Sequence, residues 1–185
     1  MKSTASFSKS SETQASALTK VSVLGATGSI GLKTLEIVRQ FPQKFQIEAL
    51  SCKSSIEQLR EQIIEFKPRI VSVNTSCQAS ELKETFSIGQ GSPETEFVWG
   101  REGLKQISSD DETDLVVAGI VGAAGLEPTY SAVEAGKIVA IANKEPLVMA
   151  GELFMQTSKK TGAKLLPIDS EHLSLIHISE PTRPY

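Results

Sequence analysis

The sequence predicts an α/β fold built on a doubly wound, mostly parallel sheet. Three observations carry that expectation. Short β-rich runs alternate with helical patterns from Lys20 onward. Repeated strand-helix-strand units call for right-handed crossovers, which cover a parallel sheet with helices on both faces. The glycine-rich and polar motifs directly follow strands, at the carboxyl ends where such folds bind their ligands.

In chain order, residues 1–19 (MKSTASFSKSSETQASALT) are Ser/Thr-rich and weakly hydrophobic, the composition of a disordered extension. A targeting segment is the sharper reading, and the lack of arginine and the presence of Glu12 stand against it. The expected strands are VSVL (21–24), IEALS (47–51), IVSV (70–73), EFVW (96–99), DLVVAGI (114–120), IVAIA (138–142) and AKLLPI (163–168). Of the segments between them, IGLKTLEIVRQF places Ile30, Leu35, Ile37 and Val38 near helical spacing. In SIEQLREQIIEF, the residues Ile56, Leu59, Ile63 and Phe66 keep one face apolar. Trp99 and the phenylalanines read as core or edge packing.

A length of 185 residues suits one domain, or one domain with the start of another. The net charge of −3 with interspersed signs leaves no basic stripe, so neither nucleic acid nor an anionic membrane is an expected partner. No apolar run approaches the roughly 20 residues that cross a bilayer. The expectation is a soluble, cytoplasmic protein, or a plastid one if residues 1–19 are a targeting segment. Cys52 and Cys77 lie in polar stretches without CxxC spacing or a histidine cluster, which argues against a disulfide framework and a zinc site.

The first motif is VSVLGATGSIG, where Gly25, Gly28 and Gly31 follow a strand and open a helix. Gly25 suits a tight turn and Gly28 the close approach of a pyrophosphate, while the amides at the helix start supply donors and a positive dipole end. Thr27 and Ser29 can add hydroxyl contacts. A glycine turn can also do no more than pack a helix on a strand; the position between an apolar strand and an amphipathic helix favours dinucleotide binding in a Rossmann-like domain. After the second strand the chain reads SCKSSI, with Lys53, Ser54 and Ser55 where NAD-binding folds usually hold an acidic residue. A cation and hydroxyls suit a 2′-phosphate, which favours NADP, although Ser55 reads equally well as the N-cap of the next helix.

In IVAIANKEPLVMAG, Asn143, Lys144 and Glu145 follow another strand. They could orient a cofactor and meet a substrate oxygen, or Asn143 could simply cap the helix that Pro146 helps to start. In LLPIDSEH, Asp169 and Glu171 sit two apart, so on an extended strand end both carboxylates share a face and could hold a hard cation. Capping of a following helix is the alternative.

Together GATGSIG, IVGAAGLEPTYSAVEAGK, ANKE and LLPIDSEH, in this order and at these spacings, resemble the amino-terminal part of 1-deoxy-D-xylulose 5-phosphate reductoisomerases, from about Lys20 to His172. The resemblance implies NADPH-dependent reductive isomerisation of 1-deoxy-D-xylulose 5-phosphate to 2-C-methyl-D-erythritol 4-phosphate in non-mevalonate isoprenoid synthesis, with Mg²⁺ or Mn²⁺ as Lewis acid. It implies that Thr27, Gly28, Ser29 and Ile30 carry the pyrophosphate and that Asn143 and Glu145 face the cofactor. Lys144, Ser170 and Glu171 would act on the substrate, and Asp169 and Glu171 would ligate the metal. Lys53, Ser54 and Ser55 depart from the Gly-Lys-Asn common in the family's 2′-phosphate loop. The full-length protein would be a homodimer.

Four segments are expected: the extension 1–19, the NADPH-binding domain 20–163, the start of a catalytic domain 164–172, and residues 173–185. From Leu173 to Arg183 the last segment reads like the translation of a transposon sequencing adapter, the mark of a cloning or assembly artefact that leaves a truncated, inactive fragment. His177 is therefore not read as a ligand, and His172 is read as a local hydrogen-bonding residue. Two other readings stand beside this one, a non-catalytic NADP-binding module and an NADP enzyme of the semialdehyde dehydrogenase type. The latter needs a nucleophilic cysteine late in the chain, and Cys52 and Cys77 both come early.

Overall fold

The computed structural model describes residues 18–88 and 94–168. Each expected run forms a strand: β1 Thr19–Leu24, β2 Phe45–Ser51, β3 Ile70–Val73, β4 Glu96–Trp99, β5 Leu115–Ala118, β6 Ile138–Ile141 and β7 Lys164–Pro167. The helices between them are α1 Ser29–Gln40, α2 Ile56–Phe66, α3 Ser76–Ile88, α4 Gly100–Ser109, α5 Leu126–Glu134 and α6 Glu145–Thr161. β5 ends earlier than the apolar run, because Gly119 and Ile120 already belong to the turn beyond it.

The strands form one sheet in the order β4-β3-β2-β1-β5-β6-β7. Every described pairing is parallel, where the sequence promised only a mostly parallel sheet. The chain winds outward from β1 to β4, returns to lay β5 beside β1, and winds outward again. That reversal opens a crevice at the carboxyl ends of β1 and β5. β7 is the outermost strand on that side, so the sheet runs past the division expected at residue 163.

Strand residues alternate between two cores, as a period of two requires. Val21, Val23, Leu115 and Val117 face α1, α2 and α3, where they meet Leu35, Val38, Leu59, Ile63 and Leu82. Leu24, Val116 and Ala118 face the other way, with Ile107, Ala132, Val133 and Phe154 from α4, α5 and α6. Both faces are thus dry, which is why the strands read as nearly unbroken apolar runs. On the second face small residues bring α4 close: Ser22 donates to the Ile107 carbonyl at 2.8 Å, and a Cβ on Gly103 would lie 3.0 Å from the Ser72 hydroxyl.

Trp99 is 53% exposed on the edge strand, so of its two expected places it takes the edge. Cys52 departs from expectation. Its neighbours in sequence are polar, yet it is buried at 5% exposure within the first core, where its N–H continues the pairing of β2 with β3 by donating to the Ser72 carbonyl at 3.0 Å. Among the described residues no helix is long and apolar enough to cross a membrane.

Gly31 fixes how α1 meets β1, since a Cβ there would overlap the Gly25 carbonyl oxygen and fall 2.6 Å from the Ala26 backbone. Gly31→Ala should lower the unfolding free energy by about 2 kcal/mol, measured by urea denaturation. Gly151→Ala in α6, whose added methyl meets nothing within 4 Å, should leave it unchanged or slightly raised.

Candidate functional site

The turn after β1 is built to present backbone donors. Gly25 adopts φ 84°, a conformation open to glycine and strained for other residues. Its N–H donates to Ser51 Oγ at 2.9 Å, and the Ala26 N–H donates to the Ser51 carbonyl at 2.8 Å. Gly28 is the N-cap of α1 with extended backbone and no side chain to cap the helix. No acidic residue occupies the first turn, so the positive end of the helix dipole is left for an external anion.

On the other side of the crevice the Gly119 N–H donates to the Leu24 carbonyl at 3.0 Å. A Cβ at Gly119 would stand 3.0 Å from that oxygen and 3.3 Å from Ile30 Cβ, so β5 leaves the sheet against the glycine turn with no room for a side chain. Gly122, at φ 75°, then starts the short 3-10 turn Ala123–Gly125 that leads into α5.

Between these turns lies a cleft of about 610 Å³, within the size range of small-molecule sites. Thr27, Gly28, Lys53 and Ser54 line it, with Asn74 beyond β3 and Arg101 beyond β4. Of the predicted cofactor residues, Ser29 and Ile30 lie just behind this wall in the first turn of α1. Ser55 is the N-cap of α2 by position, but its side chain makes no capping bond. Lys53 and Ser54 are exposed at the rim, and the Lys53 carbonyl is held by Gln78 Nε2 at 3.2 Å.

Asn143, Lys144 and Glu145 gather elsewhere, in an open groove of about 470 Å³ that they share with Ala142, Val148 and Met149. The two places are linked: Asn143 Nδ2 donates to the carbonyl of Ile120, a residue of the cleft wall, at 2.9 Å. Asn143 Oδ1 accepts from the Glu145 N–H at 3.4 Å, so although Lys144 and not Asn143 is the N-cap of α6, Asn143 ties the helix start to the β5 turn. Asp169, Ser170 and Glu171 lie outside the described residues, as do His172 and residues 173–185. Among the described residues no group of three or more His, Cys, Asp and Glu could hold a metal ion.

The family model of 1-deoxy-D-xylulose 5-phosphate reductoisomerase matches residues 21–151. The chain belongs to this family. A reductoisomerase of that name from Dechloromonas aromatica is 49% identical over 158 residues, covering 85% of this chain and 39% of the relative. Among solved structures, a DOX-P reductoisomerase in complex with NADPH, fosmidomycin and magnesium superposes with TM-score 0.79 at 44% identity, over 86% of this chain and 38% of that one. The Zymomonas mobilis reductoisomerase in complex with NADPH gives 0.77 at 32% identity, over 87% and 41%. The chain thus spans about two fifths of the length of the relatives it matches.

Sequence reasoning passed over one residue of this reductoisomerase-family cleft and one residue behind its glycine turn. Arg101 stands at the cleft edge, paired with Glu127 of α5, whose carboxylate holds the guanidinium above its ordinary range. The signal was available, because Gly100 follows β4 as Gly25 follows β1 and likewise has a positive φ of 68°. Gln62 of α2 is the other: a polar residue that no motif singled out, it is 6% exposed.

Cys52 lines the cleft floor, with its Sγ 3.2 Å from Thr27 Oγ1. Its burial predicts alkylation by iodoacetamide roughly tenfold or more slower than at exposed Cys77, a difference that mass spectrometry of timed digests reads directly.

Proposed function

We propose that this chain binds NADPH and forms the cofactor-binding part of an enzyme converting 1-deoxy-D-xylulose 5-phosphate to 2-C-methyl-D-erythritol 4-phosphate in isoprenoid synthesis. One observation carries the reading: Thr27, Gly28, Lys53 and Ser54, drawn from two separate motifs, line a single cleft at the point where the strand order reverses. The glycine turn and the start of α1, with Thr27, Gly28, Ser29 and Ile30, take the pyrophosphate on backbone donors. Lys53, Ser54 and Ser55 take the 2′-phosphate, a role their exposure at the rim permits.

NADPH, when bound, supplies the hydride. The groove beside the cleft then belongs to the substrate. Lys144, exposed at the start of α6, binds a substrate oxygen and offsets the charge that develops there. Asn143 and Glu145 fix the first turn of α6 relative to Ile120 and hence to the cleft. Asp169 and Glu171 supply the hard oxygen donors that Mg²⁺ or Mn²⁺ prefers, and Ser170 and Glu171 contact the substrate. Such a cation, when held, polarises the substrate's oxygens. A protein of the relatives' full length would pair as a homodimer, and its remaining part or its partner has Val148, Met149 and Leu153 to cover, which α6 leaves exposed.

The 185-residue chain should bind NADPH roughly tenfold or more tightly than NADH, with Lys53→Ala removing most of that difference. Equal affinity for the two cofactors in a fluorescence titration would discard the assignment of the 2′-phosphate loop. The substrate roles need the relatives' full length. In a chimera joining residues 20–172 of this chain to the remainder of a relative, Lys144→Ala, Asp169→Ala and Glu171→Ala should each lower NADPH-dependent turnover by roughly a hundredfold. Unchanged rates in steady-state assays would set those three roles aside.

A further inference from the structure

Among the described residues the Gln62 side chain makes one hydrogen bond, and it goes to the glycine turn. Its Nε2 donates to the Ala26 carbonyl at 3.1 Å, a buried contact across 36 residues of sequence. The turn is otherwise held by Ser51, which accepts the Gly25 and Ala26 N–H groups, and by the Gly28 N–H, which donates to the Gly25 carbonyl at 3.1 Å. Gln62 is therefore what fixes the Ala26 carbonyl.

The Ala26–Thr27 peptide is trans. In a planar trans peptide the carbonyl of one residue and the N–H of the next point in opposite directions. Drawing the Ala26 carbonyl toward α2 turns the Thr27 N–H away from α2, and Thr27 and Gly28 both line the cleft. The Gln62 amide is not explained by packing. Its Oε1 is buried without a partner among the described residues, a penalty that an apolar side chain of the same size would avoid. What the amide supplies in return is the donor to Ala26.

We propose that Gln62 is a positioning residue for the pyrophosphate site: by holding the Ala26 carbonyl it keeps the Thr27 N–H aimed at the anion. The inference rests on the NADPH reading above. It touches only the pyrophosphate end of the cofactor, because the 2′-phosphate falls to Lys53, Ser54 and Ser55 on a different loop.

That separation gives the test. The affinities of the 185-residue chain for NADPH and for adenosine 2′-monophosphate, which has the 2′-phosphate and no pyrophosphate, are measured by calorimetry. The proteins compared are the wild type, Gln62→Met and Gln62→Glu, at mildly alkaline pH with folding checked by circular dichroism. Both variants keep the side-chain length and lose the donor. NADPH should weaken by roughly three- to tenfold while adenosine 2′-monophosphate is unmoved. Unchanged NADPH affinity in a folded variant overturns the proposal. So does an equal loss for both ligands, or unfolding of both variants, since either makes Gln62 a structural residue only. Failure of the wild type to bind NADPH at all would overturn the cofactor reading first and this inference with it.

Discussion

The site depends on a steric constraint at one place, the carboxyl end of β1. There α1, the turn before it and the departing β5 all converge with no side chain between them. Gly31 lets α1 lie on the turn, Gly119 lets β5 pass beside Leu24 and Ile30, and Gly25 takes the positive φ that reverses the chain. A single methyl group at Gly31 or Gly119 would push apart the elements that form the crevice. The helix start, its first-turn donors and the opening between β1 and β5 are consequences of that close approach.

Ser51 extends the constraint to the second strand. Its hydroxyl and carbonyl both accept from the turn, so the end of β2 and the glycine turn share one frame. Cys52 follows in contact with Thr27, and Lys53 comes next at the rim. A loop that recognises a phosphate two residues after such a clamp inherits its position from the turn. The separation between the two places proposed for phosphates is then a property of the backbone rather than of flexible side chains.

The fold was legible because its strands are buried on both faces, which leaves short apolar runs that no other arrangement explains. The glycine motif was legible for the same kind of reason: only a strand, a tight turn and a helix in succession need Gly25, Gly28 and Gly31 at those spacings. Burial of polar residues was not legible. Cys52 and Gln62 sit among polar neighbours in sequence, and only the approach of α2 to the turn puts both of them inside. The pairing of Arg101 with Glu127 was not legible either, because the two lie on different elements brought close by the packing of α4 on α5. That Asn143 joins its groove to the cleft is likewise a tertiary fact, resting on a bond to Ile120 across the β5–β6 crossover.

The distribution of charge follows from the same division between the two ends of the sheet. At the amino ends, several charges are paired within the protein. Arg69, before β3, binds Asp110 and the buried carboxylate of Glu48, which hold its guanidinium above the ordinary range, and Lys20 at the start of β1 binds Glu112. The Lys20 N–H also donates to Asp114 at 2.8 Å, just before β5. At the carboxyl ends, Lys53 and Lys144 stand outside the ion pairs formed among the described residues. A cation already committed to a carboxylate must break that pair before it meets a phosphate, whereas an uncommitted one gives up only water. Lys53 and Lys144 thus stand where a ligand can reach them, and at the cleft edge Arg101 is paired with Glu127.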